Sequence, residues 1–324
     1  MKNVTLLLQD NFPLSTFAIV NDIFKAAGVF WNILMGYPPE PCFRTTTVSG
    51  DGQPVTTIDG LEIKVDGALG DTTDTDLIVI VPSITPLKPV TDPEPTISWL
   101  QDAHARGVHI ASICTGAFLL ADTGLLNNKT ATTHWGFVSA FQHRYPAVSL
   151  KPEKLITDEG DLFCAGGANA GGDLALYLIA KYMGKETAYR TARALLMDPD
   201  RKSQAPYMIF RFEKHHDDHR IIEIQTYMEK NVDTPFTIET LAQMAGMSRR
   251  TFERRFKTAT GDSPGQYLQR IRIEYAKQFL ETGGKTFDEI TFHVGYQDPS
   301  TFRKMFTRTT GLSPNAYREK FRAE

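Results

Sequence analysis

Residues 251–267 read TFERRFKTATGDSPGQY, and residues 301–317 read TFRKMFTRTTGLSPNAY. The offset is 50, and eight of the seventeen positions are identical: Thr251/Thr301, Phe252/Phe302, Phe256/Phe306, Thr260/Thr310, Gly261/Gly311, Ser263/Ser313, Pro264/Pro314 and Tyr267/Tyr317. Upstream, at an offset of 49, Ile238, Leu241, Ala245 and Gly246 face Phe287, Ile290, Val294 and Gly295. A unit of about fifty residues used twice is a supersecondary module.

Each copy reads as a helix-turn-helix. In the first, Ile238, Leu241, Met244 and Ala245 lie at helical spacing, and Gly246 supplies a residue free to take positive φ where that helix must end. Ser248 suits the N-cap of a second helix carrying Phe252 and Phe256 on one face, which Gly261 ends. In the second copy Thr286 or Asp288 starts the first helix, Gly295 breaks it, and Asp298 caps the next with Pro299 at its first position. One helical hairpin is a weak signal. Two with the same turn and the same following G-x-S-P are a strong one.

The 324 residues suffice for two domains, each with its own core. Hydrophobic content of 41% and charged content of 23% fit a soluble globular chain. No apolar run reaches the roughly 18 residues of a spanning helix. The opening MKNVTLLLQD has too short an apolar run and too early a charge for a signal peptide, so a cytoplasmic location is expected. Cys42, Cys114 and Cys164 give neither a disulfide framework nor metal-ligand spacing. The net charge of −3 argues against nucleic acid until it is divided. From Arg220 on there are 17 Lys+Arg against 13 Asp+Glu, leaving 18 against 25 in the rest. The basic excess thus sits on the repeat, as in an acidic sensor attached to a DNA-binding domain.

Before the repeat, strands alternate with helices. Val4–Leu8 and Asp76–Val81 are continuous apolar runs, the mark of buried parallel strands. Phe43–Ser49 is β-prone, and Val108–Cys114 is a further strand. Asp10–Pro13, which includes Phe12, is a loop. Ser15 can cap a helix to Ala27, with Gly28 as its stop. Residues 85–95 hold four prolines and read as loop, followed by a helix from Pro95 to Arg106. Helices are also expected over 115–126, 135–145, 169–183 and 185–197, with a hairpin of 155–157 and 162–165 across Asp158–Asp161. The alternation predicts a mainly parallel, flavodoxin-like α/β sandwich over residues 1–197. The polar stretch 198–219 reads as a linker, and 220–324 as an all-α domain with two helix-turn-helix motifs. His215, His216 and His219 lie in that stretch without a Cys or a helical His-x-x-x-His, so they read as solvated. Asn169–Asp173 lacks the lysine of a phosphate loop and reads as a helix start. No cofactor and no metal are expected.

A strand running into Cys114-Thr115-Gly116 and then a helix is the layout of a nucleophile elbow. The helix N-terminus beyond it favours a thiolate. His134 follows at a β-strand end, on the edge where α/β ligand sites lie. Cys114 has three readings: a small buried residue, part of a ligand pocket, or a working nucleophile. Trp135 reads either as core or as the wall of a ligand cage.

Two resemblances join these parts. FDEITFHVGYQDPSTFRKMFTRTTGLSPNAYR (287–318) resembles the signature of the AraC/XylS transcription regulators, over roughly residues 220–322. It implies two helix-turn-helix subdomains joined by a long helix, here about Pro264–Glu281, with one recognition helix each in successive major grooves. ASICTGAFLLADTGLLNNKTATTHW (111–135) resembles the PfpI-like, class I glutamine amidotransferase superfamily. Together the chain looks like the GlxA type of AraC regulator. In active or redox-sensing members of that superfamily a Glu stands near the Cys, at the position matched here by Thr16. Glycines expected after Val81-Pro82 are replaced by Ser83-Ile84, which weakens an oxyanion hole.

The expected ligand site is Cys114, Thr115, His134, Trp135 and Phe12, a catalytic remnant rather than an enzyme centre. Phe252 and Phe256 turn inward, so Arg249, Arg250, Glu253 and Arg254 face DNA on the first recognition helix. Ser300, Thr301, Arg303 and Lys304 do so on the second. Arg255, Lys257, Arg270 and Arg308 are expected on phosphates. The expected function is a ligand-responsive, sequence-specific DNA-binding regulator, dimeric, controlling catabolism of a small nitrogenous metabolite. Its effector would be an amine, amino acid or betaine, which Trp31 or Trp135 could hold by its charge. The alternative is a cysteine-dependent amidase or hydrolase fused to a DNA-binding domain. The charge division predicts that residues 220–324 bind DNA in a gel-shift and residues 1–200 do not. Binding should weaken steeply with salt as counterions are released.

Overall fold

Strands that are apolar along their whole length need cover on both faces, and the N-terminal half of the chain supplies it. The computed structural model describes residues 1–84, 93–199, 201–210, 212, 214, 216–234 and 236–322. The strands are β1 (Lys2–Leu7), β2 (Phe43–Ser49), β3 (Val55–Thr56), β4 (Glu62–Ile63), β5 (Gly67–Ala68), β6 (Leu77–Ile80), β7 (His109–Ile113), β8 (Thr130–Ala131), β9 (Ser149–Leu150), β10 (Ile156–Asp158) and β11 (Leu162–Ala165). Seven form one sheet in the order β10-β11-β7-β6-β1-β2-β5. Every pairing in it is parallel except the β10–β11 hairpin, where Ile156 faces Ala165. Alternate residues feed opposite cores: Leu77 and Val79 join one, Ile78 and Ile80 the other.

Helices α1 (Leu14–Ala26), α2 (Phe30–Leu34), α3 (Glu94–Ala105), α4 (Gly116–Asp122), α5 (Val138–Arg144), α6 (Ala170–Met183) and α7 (Lys185–Ala194) complete this unit. The mainly parallel α/β sandwich is thus as the apolar runs predict. Ser15 is not the cap of α1. The helix begins at Leu14, and the amides of Thr16 and Phe17 return to the Pro13 carbonyl. Most of the proline-rich loop expected over 85–95 lies outside the described residues, as does His215.

The chain divides into two compact units, Met1–Gln204 and Ala205–Glu324. The segment read as a linker therefore contributes to both. Ser203 and Gln204 bond to Glu153 in the first unit. In the second, Lys277 Nζ donates to the Met208 carbonyl at 2.5 Å, and Phe210 and Phe212 pack on its core. His216 bonds to Gln225 at 2.9 Å rather than standing free in solvent.

The second unit is α8 (His219–Lys230), α9 (Ile238–Met244), α10 (Arg249–Thr260), α11 (Pro264–Thr282), α12 (Phe287–His293), α13 (Pro299–Thr310) and α14 (Pro314–Phe321). The repeated residues do the same work twice. Gly261 and Gly311 end α10 and α13 in the left-handed conformation. Ser263 and Ser313 cap the helices that follow. Tyr267 donates to Glu229 at 2.9 Å, and Tyr317 donates to Glu281 at 2.8 Å, each tying the motif to the helix before it. Of the two possible starts for α12, Thr286 is the cap, in a reciprocal pair with Glu289. The apolar stripes fill two cores, one around Phe252 and Phe256, the other around Phe302 and Phe306. Among the described residues no helix is long and apolar enough to cross a membrane.

Two glycines of this unit predict effects of opposite sign. Gly261 has φ +78 and open space where a Cβ would stand. Gly261→Ala therefore costs backbone strain alone, about 1 kcal/mol. Gly265, in the first turn of α11 with equal space and no positive φ, should gain about 0.4–1 kcal/mol from the same change. Urea-unfolding midpoints of the two variants check both.

Candidate effector site and nucleic-acid interface

The loops at the C-terminal ends of β1, β6, β7, β8 and β11 meet at one edge of the sheet. Such an edge, where the strand order reverses on either side of β1 and β6, is where α/β folds hold ligands. Cys114 lies there with φ +55, a left-handed backbone on a residue other than glycine. Its neighbours fix that conformation: the Cys114 amide donates to the Ala165 carbonyl at 2.8 Å, and Thr133 Oγ1 donates to the Cys114 carbonyl at 2.8 Å. Gly116 is required two residues on, because a Cβ there would stand 2.7 Å from the Ile80 carbonyl oxygen. Thr115 Oγ1 donates to the Ser83 carbonyl at 2.6 Å, and Ser83 Oγ to the Asp10 carbonyl at 2.9 Å. The strand–turn–helix layout of an elbow is present.

Its chemistry is not that of an activated nucleophile. Cys114 is 8% exposed, and burial pushes its thiol up to about 11. The expected thiolate is therefore absent at neutral pH: desolvation outweighs the short helix that follows. His134 is half-buried, and burial lowers its pKa, which keeps the ring neutral. Its Nδ1 accepts from the Gly136 amide at 3.0 Å, so in the neutral ring Nε2 carries the proton. A ring so arranged has its one basic nitrogen engaged by the Gly136 amide and only Nε2–H to donate. At Thr16, the position at which the resemblance implies a Glu, the side chain is buried and Oγ1 makes no hydrogen bond among the described residues. Among those residues no group of His, Cys, Asp and Glu is arranged to hold a metal.

The other expected ligand residues divide. Trp135 is half-buried and stacks on His134, with ring centroids 5.3 Å apart. Phe12 is fully buried in a small core with Leu8, Val55 and Val81, and its ring meets Phe17 edge-on at 6.0 Å. It offers no face to a ligand. Trp31 already has the Arg193 guanidinium 5.4 Å from its ring. Gln204, which no sequence motif singles out, is 4% exposed. Its Nε2 donates to Thr132 Oγ1, the Thr133 carbonyl and the Lys154 carbonyl. It seats against Gly166, where a Cβ would fall 2.5 Å from Nε2.

On α10, Arg249, Arg250 and Arg254 are exposed and Glu253 is half-exposed. Arg249 pairs with Glu239 and with Glu253, the latter at 3.1 Å. Arg250 and Arg254 make no ion pair among the described residues. On α13, Ser300, Thr301, Arg303 and Lys304 are all exposed. Ser300, Arg303, Lys304, Thr307 and Arg308 line an open cleft of about 490 Å³. Arg303 bonds Asp288 at 3.1 Å and lies over Phe287. Two of the expected phosphate contacts are already engaged. Arg255 makes a two-pronged bond to Asp218 at 2.9 and 2.8 Å. Arg270 pairs with Asp262 at 3.2 Å and lies over Phe210. Both carboxylates offset the cation locally, which leaves less charge for a phosphate. Lys257 and Arg308 remain exposed without ion pairs among the described residues.

Residues 3–181 match the DJ-1/PfpI family, and residues 241–320 match a helix-turn-helix domain. The chain belongs to the DJ-1/PfpI family and carries the helix-turn-helix domain behind that unit, the layout that the two resemblances imply. It is 29% identical over 276 residues to the HTH-type transcriptional regulator CdhR of Pseudomonas aeruginosa, spanning 84% of this chain and 81% of that one. It is 31% identical over 193 residues to isonitrile hydratase of Pseudomonas putida, spanning 53% and 82%. An AraC family transcriptional regulator from Pseudomonas putida of known structure superposes with a TM-score of 0.53 at 23% identity, over 60% of this chain and 100% of that one. That last likeness is one of fold.

The raised thiol pKa predicts slow alkylation. Carboxamidomethylation of Cys114, followed by mass spectrometry, should still accelerate about tenfold per unit between pH 9 and 10, because the thiolate is the nucleophile. An ordinary thiol levels off there. A plateau near pH 7 would contradict the geometry.

Proposed function

We propose that this protein is a cytoplasmic transcription regulator that binds promoter DNA through its second unit and a small effector through its first. The observation that carries this is the tandem helix-turn-helix. It presents two recognition helices with exposed cations that make no ion pair among the described residues: Arg250 and Arg254 on α10, and Lys304, which lines the cleft, on α13. The kinship with a named transcriptional regulator over most of the chain supports the same reading. We place the effector at the sheet edge bounded by Cys114, Thr115, His134 and Trp135. There a neutral His134 Nε2–H suits a carboxylate oxygen, and the stacked Trp135 ring suits a cation. Those two features favour an amino acid or betaine as the nitrogenous metabolite whose catabolism the protein controls. Two copies of the chain would act as a homodimer.

The second reading, a cysteine-dependent hydrolase or hydratase joined to a DNA-binding domain, draws on the φ +55 of Cys114 and on the kinship with isonitrile hydratase. The protonated thiol and the imidazole whose basic nitrogen is already engaged weigh against it, so we take Cys114 as an inactive remnant at that edge. Turnover of amides or isonitriles that disappears in Cys114→Ala would restore it.

Phe252 and Phe302 mark the buried faces of α10 and α13, and Arg254 and Lys304 each stand two residues on, about 200° round the helix. Both therefore face the groove. On a duplex selected from a random pool, Arg254→Ala and Lys304→Ala should each lose about 1–3 kcal/mol, with far less lost on scrambled duplex. Lys257→Ala, nearer the helix C-terminus, should weaken both duplexes alike, as a phosphate contact does. Titrations at one fixed salt concentration check this. Equal loss on both duplexes for Arg254→Ala would remove its base-reading role.

A further inference from the structure

Among the described residues only two cations are buried in the second unit, Lys277 and Arg272, and both stand on α11. Lys277 has a carboxylate beside it, Glu274 at 2.9 Å. Arg272, 9% exposed, has no ion pair among the described residues. Its Nε donates to the Val232 carbonyl at 3.3 Å, and its guanidinium lies 5.0 Å from the Tyr296 ring. Burying a cation on neutral partners, the Val232 carbonyl and the ring and hydroxyl of Tyr296, is costly. A hydrophobic side chain in its place would serve the core better.

What Arg272 touches explains the position. Val232 and Asp233 belong to the loop that leads from α8 into the first motif. Gly295 and Tyr296 form the turn between α12 and α13, in the second motif. A Cβ on Gly295 would stand 2.6 Å from Arg272 Nη2, 2.9 Å from the Val232 carbonyl oxygen and 3.0 Å from that of Asp233. The turn of the second motif is thus pressed onto the loop of the first, with the guanidinium seated at the junction. Gly295 also has φ +77, so the turn and the close approach demand the same residue.

Beyond the DNA-binding reading, on which this rests, we infer that Arg272 is a positioning residue that sets the spacing between the two DNA elements the protein reads. It touches no base. It locks the second recognition helix to the first through the Val232 loop and the Gly295 turn. Register on the duplex is sensitive to such a lock: one inserted base pair shifts the second element by about 3.4 Å and turns it by about a tenth of a revolution.

The test uses the full-length chain. The wild type selects its site from a random duplex pool. Dissociation constants are then measured on that site and on versions with one base pair added or removed between the contacted elements. The wild type should lose at least about tenfold on the altered spacings. Arg272→Met keeps an unbranched stem but neither the hydrogen bond nor the charge. It should bind the selected site more weakly and show a spacing penalty below about threefold. Gly295→Ala, which displaces the guanidinium from the other side, should do the same if it folds. A folded variant that retains the tenfold penalty overturns the inference, as does a wild type that tolerates the altered spacing. Loss of helical circular dichroism in both variants also overturns it, since Arg272 would then serve the fold alone. A wild type that selects no sequence fails one step earlier, at the DNA-binding reading, and takes this inference down with it.

Discussion

One helix has to complete two hydrophobic cores. Tyr267 and Ile271 of α11 are buried in the first core of the helical unit, while Ile273, Ala276 and Leu280 are buried in the second. Ile271 and Ile273 are two residues apart, so they leave the helix about 200° from one another. A helix used in this way cannot slide or rotate to favour one core without opening the other. Each core brings its own recognition helix, α10 packed through Phe252 and Phe256, α13 through Phe302 and Phe306. The geometry of DNA reading therefore depends on the packing of α11 before any contact with a base.

The helical unit was readable from sequence wherever one residue type answers one local need. Gly261 and Gly311 answer left-handed backbone, Ser263 and Ser313 answer unpaired amides, and the Phe pairs answer the need for a stripe. The central strands were readable because two-sided burial leaves an unbroken apolar run. What escaped was set by distance along the chain. Arg255 meets Asp218 across 37 residues, and Tyr267 meets Glu229 across 38. A spacing rule of three or four residues sees neither. Gln204 escaped for a related reason: a polar residue in a polar stretch looks solvated until Thr133, Lys154 and Gly166 are seen around it.

At Cys114 the sequence carried the shape and missed the electrostatics. A strand, a Cys-Thr-Gly and a helix do fold into the left-handed corner that such sites use. The helix end argued for a thiolate, and burial argued more strongly for a thiol. Burial is a property of the whole unit, so no local pattern reports it. The strained corner persists because hydrogen bonds from Thr133 and to Ala165 over-determine it.

The placement of Gln204 also orders events during synthesis. A chain leaves the ribosome from its N-terminus at about 5–20 residues per second, and domains fold as units as they emerge. The α/β unit has all its strands and helices once Ala194 is out, yet its last ties wait for the Lys202 carbonyl, which accepts from the Leu155 amide, and for the Gln204 side chain. The next residues to appear, Ala205 onward, belong to the helical unit. The nascent chain thus closes its first domain with the residues that immediately precede its second. Among the described residues, those that close the first unit run directly into those that open the second.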